Sequence, residues 1–348
     1  MSRFKKIAIF IALAAALLLS LPRLSSNKDR LVERSRIAMG TFVSVKVPER
    51  QGDDPRRIDS AIDMAFDEIS RVEGVFSAYR DESEISRINR LRQGEPLRIS
   101  AEAFSLIEES LYYSARTEGA FDITVGPLVK LWSQARSAGR EPAEDEIKAA
   151  MAKVGYKNVF LDRMASSITL GKSDMALDMG GVAKGYAADR AVKVLRDNGI
   201  KDAIVDCGGD IFCIGQRQPG RPWKVGVRHP RKKGGLLMEI ELKDKAIDTS
   251  GDYEKFFMLN GRRYSHIIDP RTGYPADEGA ISATVVSDKG SVADILATAL
   301  CVLGPGGIST AASGGSMAVV VTVKDGKLAV ETAGALEGVS IVSSAEEV

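Results

Sequence analysis

The stretch ALDMGGVAKGYAADRAVKVL, residues 176–195, decides how the middle of this chain folds. An apolar run ends at Asp178, Gly180 and Gly181 let the backbone turn, and a helical pattern begins at once and continues to about residue 198. A strand that feeds directly into a helix start leaves free N–H groups and the positive end of the helix dipole at the junction, which suits an anion such as phosphate. Lys184 stands in the first turn, where a cation opposes the dipole, so it needs another reason to be there. An anion above it would be one; a tight turn with a solvated lysine is the other.

Upstream of this junction the chain reads mostly as helices. A polar stretch, residues 25–34, precedes IAMGTFVSVKVP, whose alternation at Phe42, Ser44, Val45 and Val47 predicts a strand. Ile58, Ile62, Ala65, Phe66, Ile69 and Val72 recur at helical spacing, Ser100 caps a helix that ends by Gly119, and a third helix covers about 143–154. Downstream, strands dominate: 159–170, 203–205, 223–228, 237–242, 280–287 and 317–323, interrupted by helices over 182–198 and 291–303. No repeat and no Pro/Ser-rich linker divides the chain, so the expectation is one α+β domain over residues 31–348.

The 348 residues carry 44% apolar and 27% charged side chains and a net charge of +1, which gives no electrostatic case for a nucleic-acid partner. There is no GxGxxG, no HExxH, and the GKS at 171–173 lacks the upstream glycine of a P-loop. The N-terminus has Arg3, Lys5 and Lys6 followed by an apolar run from Ile7 to Leu21, short for a spanning helix and suited to a secretory core. Residues 1–26 are therefore expected to act as a cleaved signal peptide or an uncleaved anchor, placing the rest outside the cytoplasm. No cysteine stands near Leu24 for lipid attachment. Cys207, Cys213 and Cys301 fit no CxxC pattern and are expected to be free buried thiols.

Four further segments could carry chemistry. In GSVADILATALCVLG, Asp294 and Thr298 are four apart and share a helix face among apolar neighbours; an oxygen-only pair suits a hard ion such as Mg²⁺. The alternative is a capping box from Ser291 to Asp294. Asp122 in GAFDITVGPLVKLW heads an apolar run that Gly126-Pro127 breaks, a position more typical of a cap than of a ligand. VDCGGDIFCIG reads as a strand whose central Gly-Gly implies a bulge or close backbone approach. RYSHIIDPRTGYP, residues 263–275, holds His266, one of only two histidines, three residues before an Asp-Pro turn. The other, His229, precedes Pro230 in a basic loop and is expected at the surface.

Their order carries more than any one of them. Met39-Gly40-Thr41, VFSAYRDESEISRIN, GAFDITVGPL, LDMGGVAKGYAAD, CGGDI, YSHIIDPRTGYP and ADILATAL succeed one another over about residues 35–340 in a way that resembles the ApbE family of FAD:protein FMN transferases. The resemblance implies a single α+β, T-fold-related domain with mixed sheets and flanking helices. It also implies an enzyme that cleaves FAD near a Mg²⁺ ion, releases AMP, and leaves FMN esterified to a threonine of an acceptor protein.

Residue by residue, the resemblance implies FAD contacts at Met39, Tyr79, Ala120, Phe121, Asp122, Asp178, Lys184 and Ile268. It implies a metal site at Asp294, Thr298 and the carbonyl of Gly181. It gives His266 the catalytic role, either as the base itself or orienting an acid such as Asp294 or Asp269. Implied acceptors are membrane redox-pump subunits or periplasmic flavoproteins such as reductases, met at the periplasmic side of the inner membrane. A metal-dependent FAD pyrophosphatase and a non-enzymatic periplasmic flavin-binding protein are the competing functions; only the transferase needs a protein acceptor, and only the binding protein releases no AMP.

Overall fold

The computed structural model of the chain describes residues 30–254, 256–276 and 279–344; the segment expected to direct export, residues 1–26, lies outside them. In chain order its elements are β1 (Arg30–Ala38), β2 (Thr41–Glu49), α1 (Pro55–Phe76), α2 (Glu84–Ile88), β3 (Pro96–Arg98), α3 (Ala101–Arg116), α4 (Gly126–Ala138) and α5 (Glu144–Met151). Then come β4 (Val159–Asp162), β5 (Ser167–Leu170), α6 (Ala183–Asp197), β6 (Ala203–Cys207), β7 (Ile211–Ile214), β8 (Trp223–Arg228), β9 (Leu236–Leu242) and β10 (Lys245–Gly251). The chain closes with β11 (Phe256–Leu259), β12 (Arg262–Ser265), β13 (Ser282–Ser287), α7 (Gly290–Leu303), α8 (Ile308–Ser313), β14 (Met317–Lys324), β15 (Lys327–Ala333) and β16 (Val339–Ser344).

An eight-stranded sheet in the order β1-β2-β6-β7-β10-β13-β14-β15 is the backbone of the α+β unit, which spans Leu31–Val348. Side chains alternate across such a sheet, so successive residues of one strand serve different cores. Ala318 and Val320 of β14 join the core under the helices, whereas Met317, Val319 and Val321 join a second core with Val225, Val227 and Ile240 of β8 and β9. Helices α1, α6 and α7 cover the first face, with α1 on α6, α6 on α7, and α7 on β10 and β13. Helix α1 is set by Asp54, whose carboxylate caps the Arg56 N–H, with Pro55 in its first turn and Ile58, Ile62, Phe66, Ile69 and Phe76 buried on one stripe. Helix α7 is buried almost all round, as its apolar composition requires. A third cluster joins α4, α5 and the hairpin β11–β12 through Trp132, Leu128, Ile147 and Tyr264.

Several boundaries differ from the sequence reading for definable reasons. Gly126-Pro127 does not break the chain but starts α4, because proline at the first helical turn lacks only an N–H that would be orphaned anyway. Residues 159–170 form a hairpin, β4 and β5, rather than one strand. Part of the polar stretch at 25–34 is already β1. The Gly-Gly of CGGDI is the turn of the β6–β7 hairpin: Gly208 and Gly209 have φ of +78° and +109°, and the Cys207 N–H donates to Asp210 O. Close approach is real there too, since a Cβ on Gly208 would meet Thr41 Oγ1 at 2.3 Å. All three cysteines are buried and free.

Candidate active site

The ends of these elements enclose a pocket of about 680 Å³. The β1–β2 turn supplies Met39 and Thr41, and Met39 holds φ +52° in a two-residue hairpin turn with Gly40 at +68°. The loop after α1 supplies Tyr79, the segment before α4 supplies Ala120, Phe121 and Asp122, and the α6 junction supplies Asp178, Gly181 and Lys184. His266 and Ile268 come from the segment after β12, and Asp294 and Thr298 from α7. Apart from Asp269, every residue singled out above for FAD, metal or catalysis lines this one pocket.

Two glycines bring the metal candidates to the junction. A Cβ on Gly185 would stand 2.1 Å from Gly290 O and 2.9 Å from Asp294 Cβ, and one on Gly290 would stand 2.3 Å from Gly185 O. Helices α6 and α7 therefore touch backbone to backbone, and Asp294 Oδ2 accepts the Gly185 N–H at 3.2 Å. Gly181 lies close against α7: a Cβ there would lie 3.1 Å from Thr298 Oγ1 and 3.2 Å from the Phe121 ring, tighter than ordinary contact. Thr298 thus faces the Gly181 backbone one helical turn beyond Asp294. The capping-box alternative fails, because Ser291 lies inside α7 and its hydroxyl donates to Glu109 Oε2, while Asp189 accepts the N–H groups of Gly290 and Ser291. Burial, against those N–H donors, raises the Asp189 carboxyl to about 6.

Lys184 does not stand free for an anion. Its ammonium pairs with Asp210 Oδ2 and lies 3.8 Å from Asp294 Oδ2, while the side chain remains 28% exposed. Asp210, Asp248 and Asp294 are 2%, 3% and 1% exposed, and one ligand oxygen from each lies within 4.8 Å of the others. Asp210 and Asp248 were not among the residues singled out in the sequence; Asp210 follows the hairpin glycines and Asp248 sits mid-strand in β10 opposite Val285. Burial alone would depress the Lys184 ammonium, but Asp210, Asp294 and Asp248 outweigh it and hold it well above the ordinary lysine value. Burial first, then the Asp210 and Asp294 charges, push Asp248 well above the carboxylate range, and burial with the Asp210 charge does the same to Asp294.

His266 does not pack beneath the turn; it is exposed, on the pocket wall. The turn has its own supports: Asp269 takes the Arg271 guanidinium on both oxygens and the Arg271 N–H on Oδ1, and Trp132 Nε1 donates to Gly273 O. Both Asp269 oxygens are thereby engaged in holding the turn. His229 is buried at 7% exposure rather than at the surface, its Nδ1 accepting the N–H groups of Arg231 and Lys232. The basic loop folds over its own histidine because two successive N–H groups need an acceptor.

Asp122 is engaged by its own loop and by the segment before β4. Oδ1 accepts from the N–H and hydroxyl of Thr124 and Oδ2 accepts the Tyr156 N–H. Burial raises its carboxyl despite these donors. Asp178 Oδ1 accepts the Gly180 N–H, and its carboxyl too is raised by burial. Tyr79 is 82% exposed, and the nearby Asp178 charge, with some burial, raises its phenol.

The model of the ApbE family matches residues 39–321. The FAD:protein FMN transferase of Vibrio cholerae is 33% identical over 90% of this chain and 93% of its own length. That of Treponema pallidum is 32% identical over 79% of both chains. Among solved structures, the flavin transferase ApbE from Vibrio cholerae superposes with a TM-score of 0.76 at 30% identity, covering 87% of this chain and 97% of that one. The ApbE protein of Thermotoga maritima does so with a TM-score of 0.76 at 34% identity over the same shares.

Proposed function

This chain belongs to the ApbE family and is a flavin transferase, and we propose that it cleaves FAD in a Mg²⁺-dependent reaction and attaches FMN through its phosphate to a threonine of an acceptor flavoprotein. The observation that carries this reading is the convergence of His266, Lys184, Asp294, Thr298 and the Gly181 backbone on one pocket. Asp294, Thr298 and the Gly181 carbonyl form an oxygen-only set suited to Mg²⁺. Bound there, Mg²⁺ would neutralise pyrophosphate charge that otherwise repels an attacking oxygen.

The chain's own groups do the rest. The N–H groups at the start of α6 and the Lys184 ammonium favour the same anion. Tyr79, Phe121, Ala120, Met39 and Ile268 give flavin and adenine apolar surface, and the exposed Tyr79 ring offers a stacking face at the rim. His266 takes the proton of the threonine hydroxyl as its oxygen bonds the FMN-side phosphorus. The bond between the FMN-side phosphorus and the bridging oxygen breaks, AMP leaves with the bridging oxygen, and the acceptor keeps FMN as a phosphoester. The acceptors we propose are threonine-bearing membrane redox-pump subunits or periplasmic reductases, reached from the periplasmic side of the inner membrane, which the N-terminal segment contacts.

The test incubates the full chain with FAD, Mg²⁺ and such an acceptor, and follows flavin fluorescence on the denatured acceptor band together with AMP. Labelled acceptor and AMP in equal amounts are expected. AMP with free FMN and an unlabelled acceptor would make the protein a pyrophosphatase. Intact bound FAD without AMP would make it a flavin-binding protein.

A further inference from the structure

Three buried carboxyl groups face one ammonium, so with all three ionised two negative charges would stand uncompensated in a site that water scarcely reaches. Two of the oxygens make the shortfall visible: Asp210 Oδ1 and Asp248 Oδ2 are buried with no hydrogen-bond partner among the described residues. A buried carboxylate oxygen without a donor is costly, and an ion is the usual remedy. One ligand oxygen from each acid lies within 4.8 Å of the other two, near enough for small side-chain shifts to bring all three onto one hard cation. Lys184 reaches into this cluster from the pocket, where its partly exposed side chain has room to move.

We propose that Asp210, Asp248 and Asp294 form a site for a hard divalent cation that the Lys184 ammonium fills in the cation-free protein, and that cation binding releases Lys184 into the pocket to hold the anionic substrate. The cation sits on the inward side of Asp294, away from Thr298. Once two positive charges replace one, the carboxylates no longer hold the ammonium, and the nearest remaining anion is the substrate pyrophosphate. Lys184 thereby serves first as a plug and then as an anion ligand, so cation and anion bind with positive coupling. The release half of this inference rests on the reading of the pocket as a pyrophosphate site; the cation half does not.

The test uses the full chain and the metal alone. Mg²⁺ and Mn²⁺ are titrated calorimetrically into wild type, D248N, K184M and T298V. In parallel, acylation of Lys184 by an amine-reactive ester is quantified by peptide mass spectrometry with and without cation. Removing the competitor in K184M should tighten cation binding about tenfold, and D248N should weaken it by a similar factor although Lys184 is intact. Binding at the three-aspartate site should survive T298V, which removes only an oxygen proposed to hold Mg²⁺ beside Gly181. In wild type, acylation of Lys184 should be slow without cation and rise severalfold with it, a readout that stands even if a variant fails to fold.

Unchanged Lys184 acylation on saturation with Mg²⁺ or Mn²⁺, or cation affinity indifferent to D248N, would overturn the inference. FMN transfer measured on the same wild-type preparation separates the two readings. Transfer without Lys184 release sinks the exchange and leaves the transferase. Release without transfer sinks the transferase and leaves the exchange.

Discussion

At the scale of single residues, the proposed mechanism divides the work between His266 and Asp294, and each role has a distinct signature on loss. General-base help is typically worth about 10²–10⁴-fold in rate, so His266→Ala should lower single-turnover FMN transfer at saturating FAD by about that factor. FAD affinity and melting temperature should stay near wild type, because the imidazole is exposed and Asp269, Arg271 and Trp132 hold the turn. A variant that melts early yet transfers normally would return His266 to a structural role. Asp294→Asn should lose most transfer and regain part of it at high Mg²⁺, and full activity in EDTA would remove the metal from the mechanism altogether. His266 was legible in the sequence because histidine is so rare in this chain and because its motif is local. The Asp210–Asp248–Asp294 cluster was not, since 210, 248 and 294 meet only through the pairing of β7, β10 and β13 and the seating of α7. Each acid alone looks like a turn residue or a cap. The pairing of Lys184 with Asp210 was hidden for the same reason.

Among the elements, the contact of α6 on α7 sets the site, and it depends on two residues without side chains. Gly185→Ala would drive a methyl group into the Gly290 carbonyl, which leaves only separation of the helices. Overpacking of this kind costs about 1–3 kcal/mol, and the same separation should weaken cation binding at Asp294; calorimetric melts and cation titrations of the variant read both. Normal stability would mean that the helices do not touch as described. The other side of α6 is tied to α1 and α3 by charge. The Arg71 guanidinium, against the cost of burial and with Arg190 helping, holds Glu68 down at about 2, from 4.5. A lowered carboxyl adds stability that is present above its unfolded value and lost as pH falls, so this link should fade between about pH 4.5 and 2. Partial exposure discounts the gain to about 1–3 kcal/mol. Glu68→Gln should melt lower near neutrality and show a flatter decline through that acid range; parallel acid melts would count against the link. The helices were largely legible because caps and apolar stripes are local signals. Helix α4 was not, since Gly-Pro read as a break marks a helix start only once Leu128 and Trp132 have a core to enter. Strands β10, β11, β12, β15 and β16 escaped as well, β10 in part because its acid and hydroxyls interrupt the apolar pattern on which strand readings depend.

For the whole molecule, the class α+β and the succession of motifs were readable from one end of the chain to the other, whereas the strand order β1-β2-β6-β7-β10-β13-β14-β15 is a product of long-range pairing that no local window contains. A near-neutral net charge gives such a unit no general attraction to a membrane, so its place in the cell rests on the first residues. The apolar run Ile7 to Leu21 would reach about 22 Å as a helix, short of the roughly 30 Å hydrocarbon core, and it follows Arg3, Lys5 and Lys6. We propose that this combination engages export machinery with the basic end retained inside, so the domain from about residue 31 should emerge on the far side. We therefore expect the full chain in intact spheroplasts to be digested by added protease, and a variant lacking residues 1–26 to be protected until the cells are lysed. Acceptors on the outer face of the membrane should be flavinylated only by the full chain. A chain beginning at Met1, protected from protease and recovered in the soluble cytoplasm, would place the enzyme and its acceptors inside instead.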